Sequence, residues 1–169
     1  MCIRDSPYLG GALRDIGIES YVYDACVGND NDIREICTGE KGAFKGMKSK
    51  SIFVDHTTAS ADVARELNSI ALNKDISFID APVSGGQAGA ENGKLTVMAG
   101  GDKKIFEKVK DVIVCYSQAV TLMGDIGSGQ LTKMVNQICI AGLLQGLSEG
   151  INFAKLSGLY IEQVVSVIS

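Results

Sequence analysis

A lysine and two amides lie together where an apolar stretch begins. In GSGQLTKMVNQ, residues 127–137, the pattern predicts a helix from about Leu131, which places Lys133, Asn136 and Gln137 at positions i, i+3 and i+4. The three side chains would then share one face of a single turn. Burying a lysine or an amide without a partner costs about 2 kcal/mol or more per group. This face therefore needs water or a bound molecule.

A second polar group follows a predicted strand in DAPVSGG, residues 80–86. Pro82 favours an extended conformation for the residue before it. Gly85 and Gly86 allow several backbone N–H groups to point towards one place without a side chain in the way. Together with the Ser84 hydroxyl, this turn could bind a carboxylate. The alternative is an ordinary turn from strand to helix.

Hydroxyl groups and a histidine end another predicted strand in VDHTTAS, residues 54–60. Thr57, Thr58 and Ser60 stand where a helix starts, and helix capping accounts for at least one of them. His56 could act as a general base. No carboxylate motif is placed to orient it, so a structural role is the more common reading of such a histidine.

The glycines before Lys133 do not form a phosphate-binding loop. That motif needs a lysine directly after its last glycine, so that the ammonium folds back over the N–H groups, whereas Lys133 lies four residues beyond Gly129. Two interpretations of GDIGSGQLTK remain. Either Gly127 and Gly129 only turn the chain from strand into helix and Lys133 reaches solvent, or the lysine has a chemical role.

The elements that must carry these residues alternate between strand and helix patterns. The predicted strands are YVYDACVG, SIFVDHT, SFIDAPV, LTVMAGG and AVTLMG, and the predicted helices are DNDIREICTG, ADVARELNSIALNK and KKIFEKVKDVI. Short, continuously apolar strands are typical of a sheet covered by helices on both faces. After Gly129 the pattern is helical only, and we expect a long buried helix. The sequence therefore predicts an α/β domain over residues 7–126 and the start of a helical domain over residues 127–169.

The composition argues against several classes of protein. A chain of 169 residues with 46% hydrophobic content can bury a core, and a net charge of −4 without a basic cluster argues against a nucleic-acid partner. No apolar run approaches the roughly 18 residues of a membrane span.

The odd number of cysteines and the lack of a C-x-x-C pair favour reduced thiols in a cytoplasmic protein with no metal site. We interpret four of them as small core residues: Cys26, Cys37, Cys115 and Cys139.

Both ends of the sequence have unusual features. The first six residues, MCIRDS, match the translation of ATG-TGT-ATA-AGA-GAC-AGC, which closely resembles a transposon-type sequencing adapter. We expect residues 1–6 to be an artefact and exclude them from the fold. At the other end, YIEQVVSVIS has an amphipathic helix pattern without a stop signal. We therefore expect the sequence to be cut at both ends.

Two separated motifs in matching order resemble the β-hydroxyacid dehydrogenase family: DAPVSGGQAGAENGKLTVMAGG and GDIGSGQLTKMVNQ. That family includes 3-hydroxyisobutyrate dehydrogenase, tartronate semialdehyde reductase and related succinic semialdehyde or glyoxylate reductases. CVGNDNDIREICTGEKGAF and VDHTTASADVARELN also look like its cofactor-side loops. The resemblance runs from about Cys26 to the end. It implies the C-terminal part of a Rossmann-type domain that binds NAD or NADP, and then a long interdomain helix that starts an all-helical domain.

The resemblance also implies a substrate site for a small hydroxy acid. Lys133 matches the family's catalytic lysine, which exchanges a proton with the substrate hydroxyl as a general acid or base. The turn that holds the substrate carboxylate corresponds to Ser84, Gly85 and Gly86. The amide that orients the substrate falls three or four residues after the lysine, and these positions are Asn136 and Gln137. Family members carry asparagine at the second of these positions, where this sequence has Gln137.

On the cofactor side, the resemblance assigns four positions along the nicotinamide and ribose: Val27, Gly28, Thr58 and Asp32. The G-x-G-x-x-G fingerprint that seats the pyrophosphate is absent from the sequence. In the family it opens the Rossmann domain, upstream of the position of Pro7. We therefore expect the 169 residues alone to be inactive, and the full-length protein to be a homo-oligomeric enzyme.

Two alternatives remain open at this point. One is a binding or scaffold module of the same fold without turnover, although such a module would have no reason to keep Lys133, an amide one turn later and an open Ser-Gly-Gly turn together. The other is a relative of 6-phosphogluconate dehydrogenase. That enzyme needs basic or hydroxyl groups for a sugar phosphate near the turn, and SGGQAGAENG offers no arginine or lysine before Lys94.

Overall fold

The computed structural model describes residues 21–169. The expectations for MCIRDS and for residues 7–20 lie outside the described residues. The remainder is an α/β Rossmann-type fold followed by a helical region, as the sequence predicts.

Residues 21–169 contain one six-stranded sheet with the order β1-β2-β3-β5-β4, in which β6 also pairs with β5. The strands are β1 Val22–Ala25, β2 Ile52–Asp55, β3 Ser77–Asp80, β4 Val83–Ser84, β5 Leu95–Gly100 and β6 Ser117–Gly124. Strands β1, β2 and β3 are parallel, so Ala25, Asp55 and Asp80 lie side by side at their carboxyl ends. Strand β5 is antiparallel to β3 and β4 and parallel to β6.

Seven helices connect or follow these strands in the described part of the chain. They are α1 Asp30–Thr38, α2 Ala43–Gly46, α3 Ala61–Leu72, α4 Gly86–Glu91, α5 Lys103–Val114, α6 Ser128–Leu156 and α7 Ile161–Ile168. Side chains that accept N–H groups of the first turn cap three of them: Asn29 for α1, Ser60 for α3 and Asp102 for α5. Helix α6 begins at Ser128, three residues before the predicted start near Leu131.

The core lies on both faces of the sheet, because successive strand residues point to opposite sides. On one face, Phe53 and Phe78 stack with ring centroids 5.6 Å apart and pack against α3 through Leu67. On the other face, Ile79 and its neighbours pack against Phe106 of α5. These two clusters confirm the prediction of a sheet covered by helices on both sides.

The chain divides into two compact units, one ending at Lys133 and one starting at Met134. The second unit contains the rest of α6 and all of α7, and Ala154 is buried within it. Its other apolar side chains are mostly exposed, among them Leu143, Leu147 and Phe153. The expectation of a long buried helix is therefore wrong for the described chain, because this unit consists of little more than two helices.

The interpretation of the cysteines as core residues is correct only for Cys37. Cys26 follows β1 in a surface loop, Cys115 ends α5, and Cys139 lies on α6, and all three are exposed. No His, Cys, Asp or Glu cluster within residues 21–169 could hold a metal ion. Over the same residues, no helix combines the length and the apolar character that crossing a membrane requires.

Candidate active site

The loops that leave β1 and β2 are joined at the carboxyl edge of the sheet. The backbone N–H of Val27 donates a hydrogen bond of 3.0 Å to Oγ1 of Thr57. Next to it, the Asp30 carboxylate accepts from both the N–H and the hydroxyl of Ser60, at 2.8 and 2.6 Å. The hydrogen bond from the Ser60 hydroxyl lowers the pKa of Asp30. These contacts fix the first turns of α1 and α3 to each other.

The predicted cofactor residues lie on these two loops and on the first turn of α1. Gly28 and Thr58 are exposed, and Val27 packs partly buried against the apolar cluster below. A Cβ on Gly28 would lie 2.8 Å from Oδ2 of Asp32, so a side chain there would displace the Asp32 carboxylate. Dinucleotides bind outside the carboxyl ends of parallel strands in open α/β sheets. The predicted cofactor residues therefore lie at the sheet edge where such a ligand is expected, and their individual roles stay predictions.

His56 has a structural role, because neither of its ring nitrogens is free to act as a general base. Its Nδ1 lies 2.7 Å from the carbonyl oxygen of Ala81, and its Nε2 lies 2.8 Å from the hydroxyl of Tyr116. Because a carbonyl can only accept, Nδ1 carries the proton and Nε2 accepts from Tyr116. Burial lowers the pKa of His56. Both ring nitrogens are therefore engaged by the fold.

We expect the pKa of His56 in the folded protein to lie below its usual value of 6.5, so that the ring is mostly neutral at pH 6.5. It is the only histidine of the chain, so its ring resonances can be followed by NMR between about pH 8 and about pH 5.5 without ambiguity. Since only the unfolded chain takes up this proton readily, the free energy of unfolding should fall as the pH drops below about 6.5. A ring that titrates at 6.5 or above in the folded protein would contradict the two hydrogen bonds.

Two buried carboxyl groups, Asp55 and Asp80, lie next to each other at the ends of β2 and β3. Asp55 accepts the N–H of Thr57 with Oδ1 at 2.9 Å, and its Oδ2 has no hydrogen-bond partner in the described chain. Burial raises the pKa of Asp55 to about 7, although the contacts with Thr57 oppose this. Burial also raises the pKa of Asp80, against several backbone donors. Sequence reasoning assigned neither residue.

Asp80 fixes the start of α6. Its Oδ1 accepts the N–H of Gly127 at 2.7 Å, and its Oδ2 accepts the N–H of Gln130 at 2.9 Å. A carboxylate at this end of a helix also interacts favourably with the helix dipole. These bonds extend the helix back to Ser128, which is why the predicted start near Leu131 is wrong.

Two glycines allow α6 to begin directly against the strand ends. A Cβ on Gly129 would collide with the carbonyl oxygen of Met98 and lie 2.8 Å from that of Asp80. A Cβ on Gly100 would lie 2.5 Å from Oδ1 of Asp80. The first turn of α6 is therefore seated on β3 and β5 without side chains between them.

Gln130 connects the same turn to the loop after β2. Its side chain is fully buried, with Oε1 accepting the N–H of Ala59 at 3.0 Å and Nε2 donating to the carbonyl oxygen of Thr57 at 2.7 Å. The signal that could have identified Gln130 was a polar residue between glycine and leucine at a buried helix start. The signal for Asp80 was an acid at the end of an apolar strand.

Lys133 lies one turn after Gln130 on α6. Only 8% of its surface is exposed, and its ammonium forms no ion pair or hydrogen bond with any residue from 21 to 169. The ammonium is absent from the buried polar atoms without a partner, so it keeps contact with solvent while most of the side chain is covered. Such an ammonium suits a site where a substrate oxygen supplies the missing partner.

The Ser-Gly-Gly turn joins β4 to α4, with Ser84 at the end of the strand and Gly86 at the start of the helix. Gly85 has φ of +129° and Gly86 has φ of +60°, so both occupy backbone conformations that favour glycine. The Ser84 side chain is partly exposed, and its hydroxyl makes no hydrogen bond within residues 21–169. Ser84 lies four residues after Asp80 in the chain. The Asp80 carboxylate thus ties the segment that precedes this turn to the helix of Lys133.

The two predicted amides belong to the second unit. Asn136 is partly buried and Gln137 is exposed, and Nδ2 of Asn136 donates to Oε1 of Gln137 at 3.2 Å. Which of them contacts a substrate stays a prediction.

Comparison with known proteins identifies close relatives. A family model described as the NAD binding domain of 6-phosphogluconate dehydrogenase matches residues 17–124. An uncharacterized oxidoreductase of Shewanella frigidimarina is 60% identical over 144 residues, which are 85% of this chain and 50% of that protein. A probable 3-hydroxyisobutyrate dehydrogenase-like protein of Arabidopsis thaliana is 43% identical over 146 residues, covering 86% of this chain and 48% of that protein.

Among solved structures, the 3-hydroxyisobutyrate dehydrogenase of Mycobacterium tuberculosis with L-serine has a TM-score of 0.80 and 26% identity. The match covers 91% of this chain and 52% of that structure. This chain thus spans about half the length of the curated relatives it matches.

Proposed function

Because the chain belongs to the β-hydroxyacid dehydrogenase family and carries part of its NAD-binding domain, we propose that the full-length protein is an NAD- or NADP-dependent oxidoreductase. Its reaction interconverts a small β-hydroxy acid, of the 3-hydroxyisobutyrate or tartronate semialdehyde type, and the corresponding semialdehyde. The observation that carries this proposal is Lys133, a largely buried residue whose ammonium has no hydrogen-bond or ion-pair partner in residues 21–169.

Lys133 acts as the general acid or base in this proposal. When bound, NAD or NADP supplies the hydride acceptor or donor. The amine of Lys133 takes the proton of the substrate hydroxyl during oxidation and returns it during reduction. In its ammonium form Lys133 also stabilises negative charge on that oxygen. A site closed to water strengthens this interaction.

The Ser-Gly-Gly turn binds the substrate carboxylate. The free hydroxyl of Ser84 donates to one carboxylate oxygen, and the absence of side chains at Gly85 and Gly86 leaves the backbone N–H groups open to the other. This arrangement selects small acids that carry a carboxylate near the reacting carbon.

Replacing Ser84 by alanine should raise the Michaelis constant for the hydroxy acid by about 10-fold, because a hydrogen bond to a charged group is lost. Cofactor affinity should not change. Steady-state kinetics and a fluorescence titration with NADH and NADPH measure the two effects separately. Ser69→Ala, at an exposed position on α3, is the matched control. An equal loss of both affinities would indicate misfolding of the turn instead.

The remaining assignments follow the family resemblance. Val27, Gly28, Thr58 and Asp32 contact the nicotinamide and ribose side of the cofactor, and Asn136 or Gln137 orients the substrate. We also propose that the full-length protein is a homo-oligomer in the cytoplasm. The location is supported by three cysteines of the described chain that form no disulfide: Cys37, Cys115 and Cys139.

The test is a survey of small β-hydroxy acids and 6-phosphogluconate with both cofactors, on a full-length enzyme that carries this sequence. Saturable oxidation of a small hydroxy acid supports the proposal. Turnover of 6-phosphogluconate alone would assign the enzyme to the sugar-phosphate branch, and cofactor binding without any turnover would favour a binding module.

A further inference from the structure

We propose that Gln130 is a positioning residue that couples the cofactor-side loop after β2 to the helix of Lys133. The catalytic consequence of this coupling rests on the proposed function. The coupling itself rests on the contacts of the Gln130 side chain.

Gln130 holds both residues that flank Thr58. Its Oε1 accepts the N–H of Ala59, and its Nε2 donates to the carbonyl oxygen of Thr57. Thr58 itself is exposed between them, whereas Thr57 and Ala59 are buried. The backbone conformation that presents Thr58 is therefore held by a side chain of α6.

The backbone of Gln130 is held at the same time by another strand. Its N–H donates to Oδ2 of Asp80 at 2.9 Å. Residue 130 thus links the ends of β2 and β3, and Lys133 follows it by one helical turn. Gln130 therefore couples the position of the Thr57–Ala59 segment to the position of the α6 start. If either one moved, the buried amide of Gln130 would lose a hydrogen bond that no other group replaces.

Glutamate at position 130 separates a positioning role from simple stability. A protonated carboxyl group can reproduce both hydrogen bonds of the amide, whereas an ionised one places negative charge against the carbonyl oxygen of Thr57. In the full-length protein, Gln130→Glu should weaken NADH or NADPH binding by about 10-fold at high pH and recover towards low pH. The value of kcat should follow the same profile, with a smaller effect on the Michaelis constant for the hydroxy acid.

Two carboxyl groups are hydrogen bonded to the same segments and also titrate. Asp55 accepts from Thr57, and Asp80 accepts from Gln130. Asp55 and Asp80 contribute to the pH dependence of the wild-type protein and of Gln118→Glu in the same way. Gln118→Glu introduces the same charge as Gln130→Glu, but at an exposed position of β6. Only the difference between Gln130→Glu and these two references bears on the proposal.

Hydrogen exchange gives a readout that needs neither cofactor nor substrate. In the wild-type protein the amide of Ala59 should exchange far more slowly than that of Thr58, and Gln130→Ala should remove this protection while amides in the middle of α3 stay protected. Equal exchange of Ala59 and Thr58 in the wild-type protein would overturn the proposal even if the variants fail to fold.

The proposal is also overturned if Gln130→Glu lowers only the thermal stability and leaves cofactor affinity and kcat equal to those of Gln118→Glu at every pH. A wild-type enzyme that binds NADH or NADPH but oxidises no hydroxy acid would refute the proposed function alone. Cofactor affinity and Ala59 exchange would then still decide the role of Gln130.

Discussion

Replacing Lys133 by alanine is expected to reduce turnover of the full-length enzyme by about 100-fold or more, while cofactor affinity stays nearly constant. The reason is that the substitution removes a proton-transfer group and leaves the loops after β1 and β2 unchanged. Steady-state rates for the hydroxy acid and a cofactor titration of the same preparation measure the two quantities. Lys104→Ala, at an exposed position on α5, controls for the loss of one positive charge.

Two further substitutions at this position separate charge from proton transfer. Lys133→Arg keeps the positive charge, but its guanidinium does not release a proton at working pH, so turnover should stay low. Lys133→Met keeps the largely buried aliphatic chain and removes a charge that has no partner among residues 21–169, so the free energy of unfolding should not decrease. Near-normal turnover of Lys133→Ala would refute the assignment of the lysine.

The largest effect on stability is expected at Gly129. Gly129→Ala should lower the free energy of unfolding by about 3 kcal/mol, because its Cβ would overlap backbone atoms of β3 and β5 that cannot move separately. Urea unfolding of the two proteins gives the difference, and loss of soluble expression is the limiting case. Gly46→Ala is the matched control, since a Cβ there meets nothing within 4 Å, and it should change stability by less than about 0.5 kcal/mol. Equal stabilities for Gly129→Ala and the wild-type protein would show that α6 does not start against the strands.

The order of strands and helices could be predicted from the sequence because apolar runs and caps are local signals. The same local signals predicted that Thr58 follows the apolar strand β2, as it does in the structure, whereas the roles of Thr58 and Ser84 stay predictions. The reversal of β5 could not be predicted, because an apolar run has the same pattern in either direction.

The contacts that organise the site were not predictable because their partners are distant in sequence. Asp80 and Gly127 are 47 residues apart, and Gln130 and Ala59 are 71 residues apart. A single sequence carries no signal for such pairs. From the sequence alone, Asp80 is an ordinary residue at the end of a strand and Gln130 an ordinary residue at the start of a helix. The exposure of Cys115 and Cys139 was missed for a related reason, since hydrophobicity alone does not tell which side of a helix is covered.

The seating of α6 on the strand ends makes four positions mutually dependent: Asp80, Gly100, Gly129 and Gln130. Gly100 and Gly129 leave the space that the Asp80 side chain and the strand backbone occupy, and Asp80 accepts the backbone N–H of residue 130, so the effects of substitutions among these positions are not expected to be additive. This is epistasis built into the packing. A residue that a relative tolerates at one of these positions need not be tolerated here alone, and a functional chimaera of two such enzymes has to inherit the four positions from the same parent.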